Sequence, residues 1–99
     1  MCGAPDQAVA LPPGTDLTKE TVLTGRVVAG GEPVGGAFVR LLDGTGEFTA
    51  EVVASEAGQF RFFAAPGTWT VRALSRVGTG QAELTAEGPG VHRAEIALA

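Results

Sequence analysis

The chain offers few side chains for covalent or metal chemistry. Its single thiol is Cys2, its single imidazole is His92, its serines are Ser55 and Ser75, and it has no Asn or Tyr. A Ser–His–Asp relay would have to join Ser55 or Ser75 to His92 and a distant Asp. Neither serine has the glycine pattern of a nucleophile elbow. One His and one Cys fall short of the three or four ligands that zinc takes. Asp43-Gly44-Thr45-Gly46-Glu47 lacks the alternating Asp/Asn of a calcium loop and reads as a hairpin turn. No catalytic residue, metal or cofactor is expected, and His92 is expected at a strand start with one ring nitrogen in water.

Cys2 is the one nucleophile with a positional argument. A small second residue permits removal of Met1, which would leave the thiol beside a free α-amino group that lowers its pKa. Thiolates take up sulfane sulfur by the attack chemistry of thiol–disulfide exchange, so Cys2 is a candidate sulfur (persulfide) acceptor. The plainer readings are a tolerated small residue, or an anchor that docks the segment carrying it.

The elements that must position these groups are short and regularly punctuated. Residues 1–20 hold Pro5, Pro12, Pro13 and Gly14 without a sustained period, and read as an extended N-terminal arm. From residue 21 to 99, β-prone runs are expected at 21–29, 37–43, 47–55, 59–64, 68–76, 81–87 and 91–98. Gly30-Gly31-Glu32-Pro33, Asp43-Gly44, Ala57-Gly58, Pro66-Gly67, Val77-Gly78-Thr79-Gly80 and Gly88-Pro89-Gly90 separate them. Asp-Gly accepts the positive φ of tight hairpins, and Pro-Gly presets a type II turn. Seven short strands indicate an all-β, seven-stranded Greek-key β-sandwich. At 99 residues there is room for one such domain.

Alternation along the strands assigns the faces. Leu23, Val27, Ala37, Val39, Leu41, Phe48, Ala50, Val52, Phe60, Phe62, Trp69, Val71, Ala73, Ala82, Leu84, Ala94, Ile96 and Leu98 share the inward phase, with Trp69 expected to be the costliest to lose. The outward phase carries Arg26; Phe38, Arg40 and Leu42; Arg61 and Phe63; and Arg72, Leu74 and Arg76. Aromatics interleaved with arginines match the composition of interface hot spots. Phe38, Arg40, Arg61, Phe63 and Arg72 are therefore the candidate partner surface, expected to be contiguous. Two alternatives stand beside that reading. Residues 8–13, with Val9 and Leu11, fold back over Phe38 and Phe63, or Glu47, Glu51 and Glu83 pair with the arginines across strands.

Four ordered motifs carry a family resemblance: Gly25-Arg26-Val27, Gly36-Ala37-Phe38-Val39-Arg40-Leu41, Gly58-Gln59-Phe60-Arg61-Phe62 and Pro66-Gly67-Thr68-Trp69-Thr70-Val71. Together they resemble the carboxypeptidase regulatory-like pattern of transthyretin-like (prealbumin-like) β-sandwiches, over about residues 21–99. The opening Met1-Cys2-Gly3-Ala4-Pro5-Asp6-Gln7 and the run Phe48-Thr49-Ala50-Glu51-Val52-Val53-Ala54-Ser55 are similar to a small actinobacterial family of unknown function. Its members are typically encoded beside a thiosulfate sulfurtransferase (rhodanese), which implies a context of sulfur metabolism. Two activities of related folds are excluded by composition. Lys19, the only lysine, precedes the first strand and the last has no Asn or Asp for an isopeptide bond. One His and no Tyr also rule out the hydroxyisourate hydrolases that share this fold.

The function expected is a non-enzymatic protein-binding module whose partner is a sulfurtransferase. A sulfur carrier using Cys2, or a homo-oligomeric module pairing through edge strands or arginines, is the alternative. A net charge of −4 argues against nucleic-acid binding. Residues 1–20 lack a basic n-region followed by an apolar run, and no run spans a membrane, so a cytoplasmic protein is expected.

Overall fold

The computed structural model describes residues 15–99, which form eight strands in two facing sheets without a helix. The strands are β1 (Thr21–Ala29), β2 (Glu32–Pro33), β3 (Phe38–Leu42), β4 (Phe48–Val53), β5 (Gln59–Phe63), β6 (Gly67–Ser75), β7 (Gly78–Ala86) and β8 (Gly90–Ala97). In the first sheet β1 is central. It pairs in parallel with β8 over residues 21–28, and antiparallel with β5 over 22–26 and with β2 at 28–29. The second sheet is antiparallel throughout, in the order β4-β3-β6-β7.

The all-β sandwich read from alternation is the fold observed. Its seven strands are all present, and β2 adds a two-residue strand at Glu32-Pro33, where the sequence alone points to a turn. A further difference lies at residues 77–80. The turn is only Arg76-Val77, closed by a Ser75–Gly78 pair and by the Val77 amide donating to Ser75 Oγ at 3.0 Å. Gly78 and Gly80 belong to β7, and their bareness serves a close approach. A Cβ on Gly80 would overlap the Ala97 carbonyl, and one on Gly78 would come within 2.8 Å of the Ala99 carbonyl. The Ala99 amide donates to the Thr79 carbonyl at 3.0 Å, so the end of β8 closes against β7 there.

Between the sheets lie Leu23, Val27, Val39, Leu41, Phe60, Phe62, Val71, Ala73, Leu84 and Ile96, all buried. The Phe60 and Phe62 rings sit 6.1 Å apart at 56°, a tilted arrangement favoured by their quadrupoles. One expected core residue, Phe48, lies outside the core, and another, Trp69, packs against it only partly buried. Phe48 is 62% exposed, because a bulge between Leu41 and Leu42 pairs Leu41 with Ala50 but Leu42 with Phe48. The extra residue on β4 reverses the phase of everything before it. Trp69 is half-buried at the core's margin, its indole N–H donating to the Ala65 carbonyl at 2.8 Å. Phe60 replaces it as the largest fully buried side chain.

Most of the expected arm lies outside the described residues, so neither it nor the cover by Val9 and Leu11 is placed. Its last residues turn at 16–19, where Asp16 Oδ1 accepts the Thr18 amide at 2.9 Å. The Glu20 carbonyl then accepts the Gly90 amide at 2.9 Å, which ties this entry segment to β8.

Candidate partner surface

Strand register builds the outer face of the second sheet as a grid. Val53, Phe38, Leu74 and Thr79 form one row across β4, β3, β6 and β7; Glu51, Arg40, Arg72 and Gln81 form the next; Phe48, Leu42, Thr70 and Glu83 form the third. A row of charge thus runs between two rows rich in apolar side chains. Phe38 is 51% exposed and Val53 37%, and as neighbours in one row they make a contiguous apolar patch rather than scattered single residues. Beyond the first row a groove of about 410 Å³ opens between Phe38, Leu74, Arg76 and Val77.

The electrostatics of the middle row are unbalanced. Arg40 and Arg72 are directly opposite on neighbouring strands, a like-charge placement that costs stability by itself. Arg40 Nε donates to Glu51 Oε2 at 2.7 Å, an ion pair of the cross-strand kind expected from sequence. Arg72 Nε donates to the neutral Gln81 Oε1 at 3.2 Å. One guanidinium charge in the row is therefore left without a compensating carboxylate in its own row.

The candidate surface does not hold together as five residues. Phe38, Arg40 and Arg72 lie on this face, whereas Arg61 and Phe63 project from β5, which belongs to the other sheet. They point to the opposite side of the sandwich. Alternation tells which way a side chain points from its own strand, but not which sheet that strand joins. Phe48, Val53 and Val77 enlarge the patch. Val77 is legible as an apolar residue in a turn and Val53 as the outward neighbour of the inward Val52, whereas nothing in the sequence marks the bulge that exposes Phe48.

The nucleophile candidates are occupied locally. Ser55 Oγ accepts the Gln59 amide at 3.1 Å and Ser75 Oγ the Val77 amide, so both serines brace turns. The half-buried His92 places Nε2 at 2.9 Å from the Gly88 carbonyl, which accepts its proton. Asp43 Oδ1 accepts from Thr45 Oγ1 at 2.6 Å, from the Thr45 amide at 2.9 Å and from the Glu47 amide at 3.0 Å. These bonds, the Thr45 hydroxyl foremost, hold its carboxyl below the usual range, and Thr18 does the same for Asp16. The 43–47 loop is a turn. Among the described residues no group of three or more His, Cys, Asp or Glu side chains is placed to hold a metal ion. No helix there is long and apolar enough to cross a membrane. Cys2, the candidate sulfur acceptor, lies outside the described residues.

Comparison with known proteins places this chain among relatives without an assigned activity. Residues 2–98 match a family model described as a protein of unknown function, DUF1416. An uncharacterized protein of Mycobacterium tuberculosis is 60% identical over 99 residues, covering 99% of each chain. An uncharacterized protein of Mycolicibacterium smegmatis is 64% identical over 90 residues, 90% of this chain and 100% of its own. Solved structures share the fold at low identity. A DUF3823 family protein from Parabacteroides merdae gives a TM-score of 0.62 at 14% identity, covering 82% of this chain and 46% of its own. Catechol 1,2-dioxygenase from Acinetobacter gives 0.60 at 12%, covering 88% and 54%. This chain spans about half the length of both. The dioxygenase domain of a Streptomyces dioxygenase–carbohydrate-binding fusion gives 0.58 at 11%, covering 98% and 89%.

Proposed function

We propose that this chain, which belongs to the DUF1416 family, is a non-enzymatic module that binds a protein partner through the outer face of the β4-β3-β6-β7 sheet. One observation carries the reading: the opposed Arg40 and Arg72 lie between rows holding the exposed Phe38, Val53 and Phe48. A partner presenting a carboxylate within an apolar surface would neutralise Arg72 and cover the aromatics. Such aromatic and arginine anchors are where interface energy concentrates. The engagement of Ser55, Ser75 and His92 in turn hydrogen bonds supports a binding role over a catalytic one.

The partner we infer is a thiosulfate sulfurtransferase of the rhodanese type, and the setting sulfur metabolism; the support is the family resemblance of the sequence. Mixing the purified protein with that enzyme from the same organism and following mass by light scattering tests the pairing. A complex with wild type and none with Phe38→Asp is expected. A wild-type protein that elutes unchanged beside the enzyme, or as a dimer of itself through this face, overturns the reading.

A further inference from the structure

The other side of the sandwich carries a second, chemically different feature. On the outer face of the first sheet a cleft of about 350 Å³ is walled by Thr24, Arg26, Gln59, Arg93 and Glu95. Register explains its charge. Arg26 lies between Gln59 on β5 and Glu95 on β8, and one rung along, Thr24 lies between Arg61 and Arg93. The small Thr24 leaves the floor low between longer side chains on the flanking strands. Its hydroxyl is turned to the Phe60 carbonyl, to which it donates at 2.8 Å.

Charge in the cleft is only partly balanced. Glu95 Oε2 stands 3.5 Å from Arg26, with both side chains more than half exposed, so this is a loose pair. The Arg93 side chain shows no hydrogen bond or ion pair among the described residues. Two guanidinium forks therefore approach one cleft from neighbouring strands, with a Gln59 amide beside them, on a chain whose net charge is −4.

We infer that this cleft is a binding site for a tetrahedral oxyanion of the phosphate or sulfate class, held by Arg26 and Arg93. A planar carboxylate has two oxygens, which a single guanidinium fork can occupy. A tetrahedral anion offers further oxygens to a second fork arriving from another direction, which suits arginine better than lysine. The volume leaves room for a small group attached to the anion. Glu95 is the built-in competitor: the anion takes Arg26 from it, so the site's affinity is set by that exchange.

The inference is independent of the partner surface, which lies on the opposite face. Its test is a titration of the ¹⁵N-labelled protein with inorganic phosphate, and separately with sulfate, at constant ionic strength made up with chloride. Saturable shifts confined to residues 24–26, 59 and 93–95 are expected. Arg93→Ala should weaken binding at least tenfold, and Glu95→Gln should tighten it severalfold because Arg26 loses its competitor. Arg72→Glu, on the far face, should leave binding unchanged. Dispersed spectra report that each variant folds, and Arg26→Gln replaces Arg93→Ala if the latter does not. Shifts that do not saturate, equal binding by the arginine variant, or no tightening in Glu95→Gln would each overturn the assignment.

Discussion

Phe60 has no exposure, contacts Phe62 and lies opposite Gly25 on the central strand, so its loss leaves a cavity that neighbouring strands cannot close. Phe60→Ala should cost about 3–5 kcal/mol, enough to unfold most of a domain this size. Trp69→Ala should cost visibly less, because that side chain is only partly buried at the edge of the core, even though its hydrogen bond to Ala65 is lost as well. Denaturant midpoints of the two variants check the order, and a Trp69 variant less stable than the Phe60 variant would contradict it. Asp43 gives a prediction in pH. Its folded pKa lies below its unfolded one, so its contribution is complete above the unfolded value and disappears as pH falls through the folded value. The difference in melting temperature between wild type and Asp43→Ala should therefore be full near neutrality and shrink below about pH 4. A difference that stays constant down to strong acid would show that the turn carboxylate is not what its charge stabilises.

Among the strands, alternation identified Leu23, Val27, Val39, Leu41, Phe60, Phe62, Val71 and Ala73 as buried, but it gave the outward phase to Leu42 and left Val22 and Val28 out of the core, and all three are buried. It failed at Phe48, since a bulge is a property of two strands together and β4 alone cannot reveal it. It also failed to separate Arg61 and Phe63 from Arg40 and Arg72, because the crossing of β5 to the other sheet is set by packing between layers. Glycines behaved likewise: Gly78 and Gly80 read as a turn but clear space for the Ala97 and Ala99 carbonyls. Gly25 is the sharpest such case. A Cβ there would overlap the Ala94 carbonyl of β8 and reach 2.8 Å from the Phe60 ring. Gly25→Ala should cost about 1–3 kcal/mol and raise hydrogen exchange along β8 first, since β1 is the only strand pairing in register with β8 among the described residues. Unchanged protection in β8 would mean that the sheet absorbs the extra methyl without moving.

At the scale of the whole molecule, the two sheets present two outer surfaces of different character. One alternates exposed aromatics with a like-charged arginine pair, and the other gathers Arg26 and Arg93 around a polar cleft. The sandwich and its core were legible in the sequence, and so were the residue types of an interface. Their division between faces was not, since that depends on which strands share a sheet. The measurement that bears most directly on the proposed function is the affinity of the purified thiosulfate sulfurtransferase for wild type, Arg72→Glu and Arg61→Glu, determined side by side by calorimetry. Binding weakened more than tenfold by Arg72→Glu, about 1.4 kcal/mol, and little changed by Arg61→Glu is the result predicted. Binding unaffected at Arg72, lost at Arg61, or absent from the wild-type protein would contradict it.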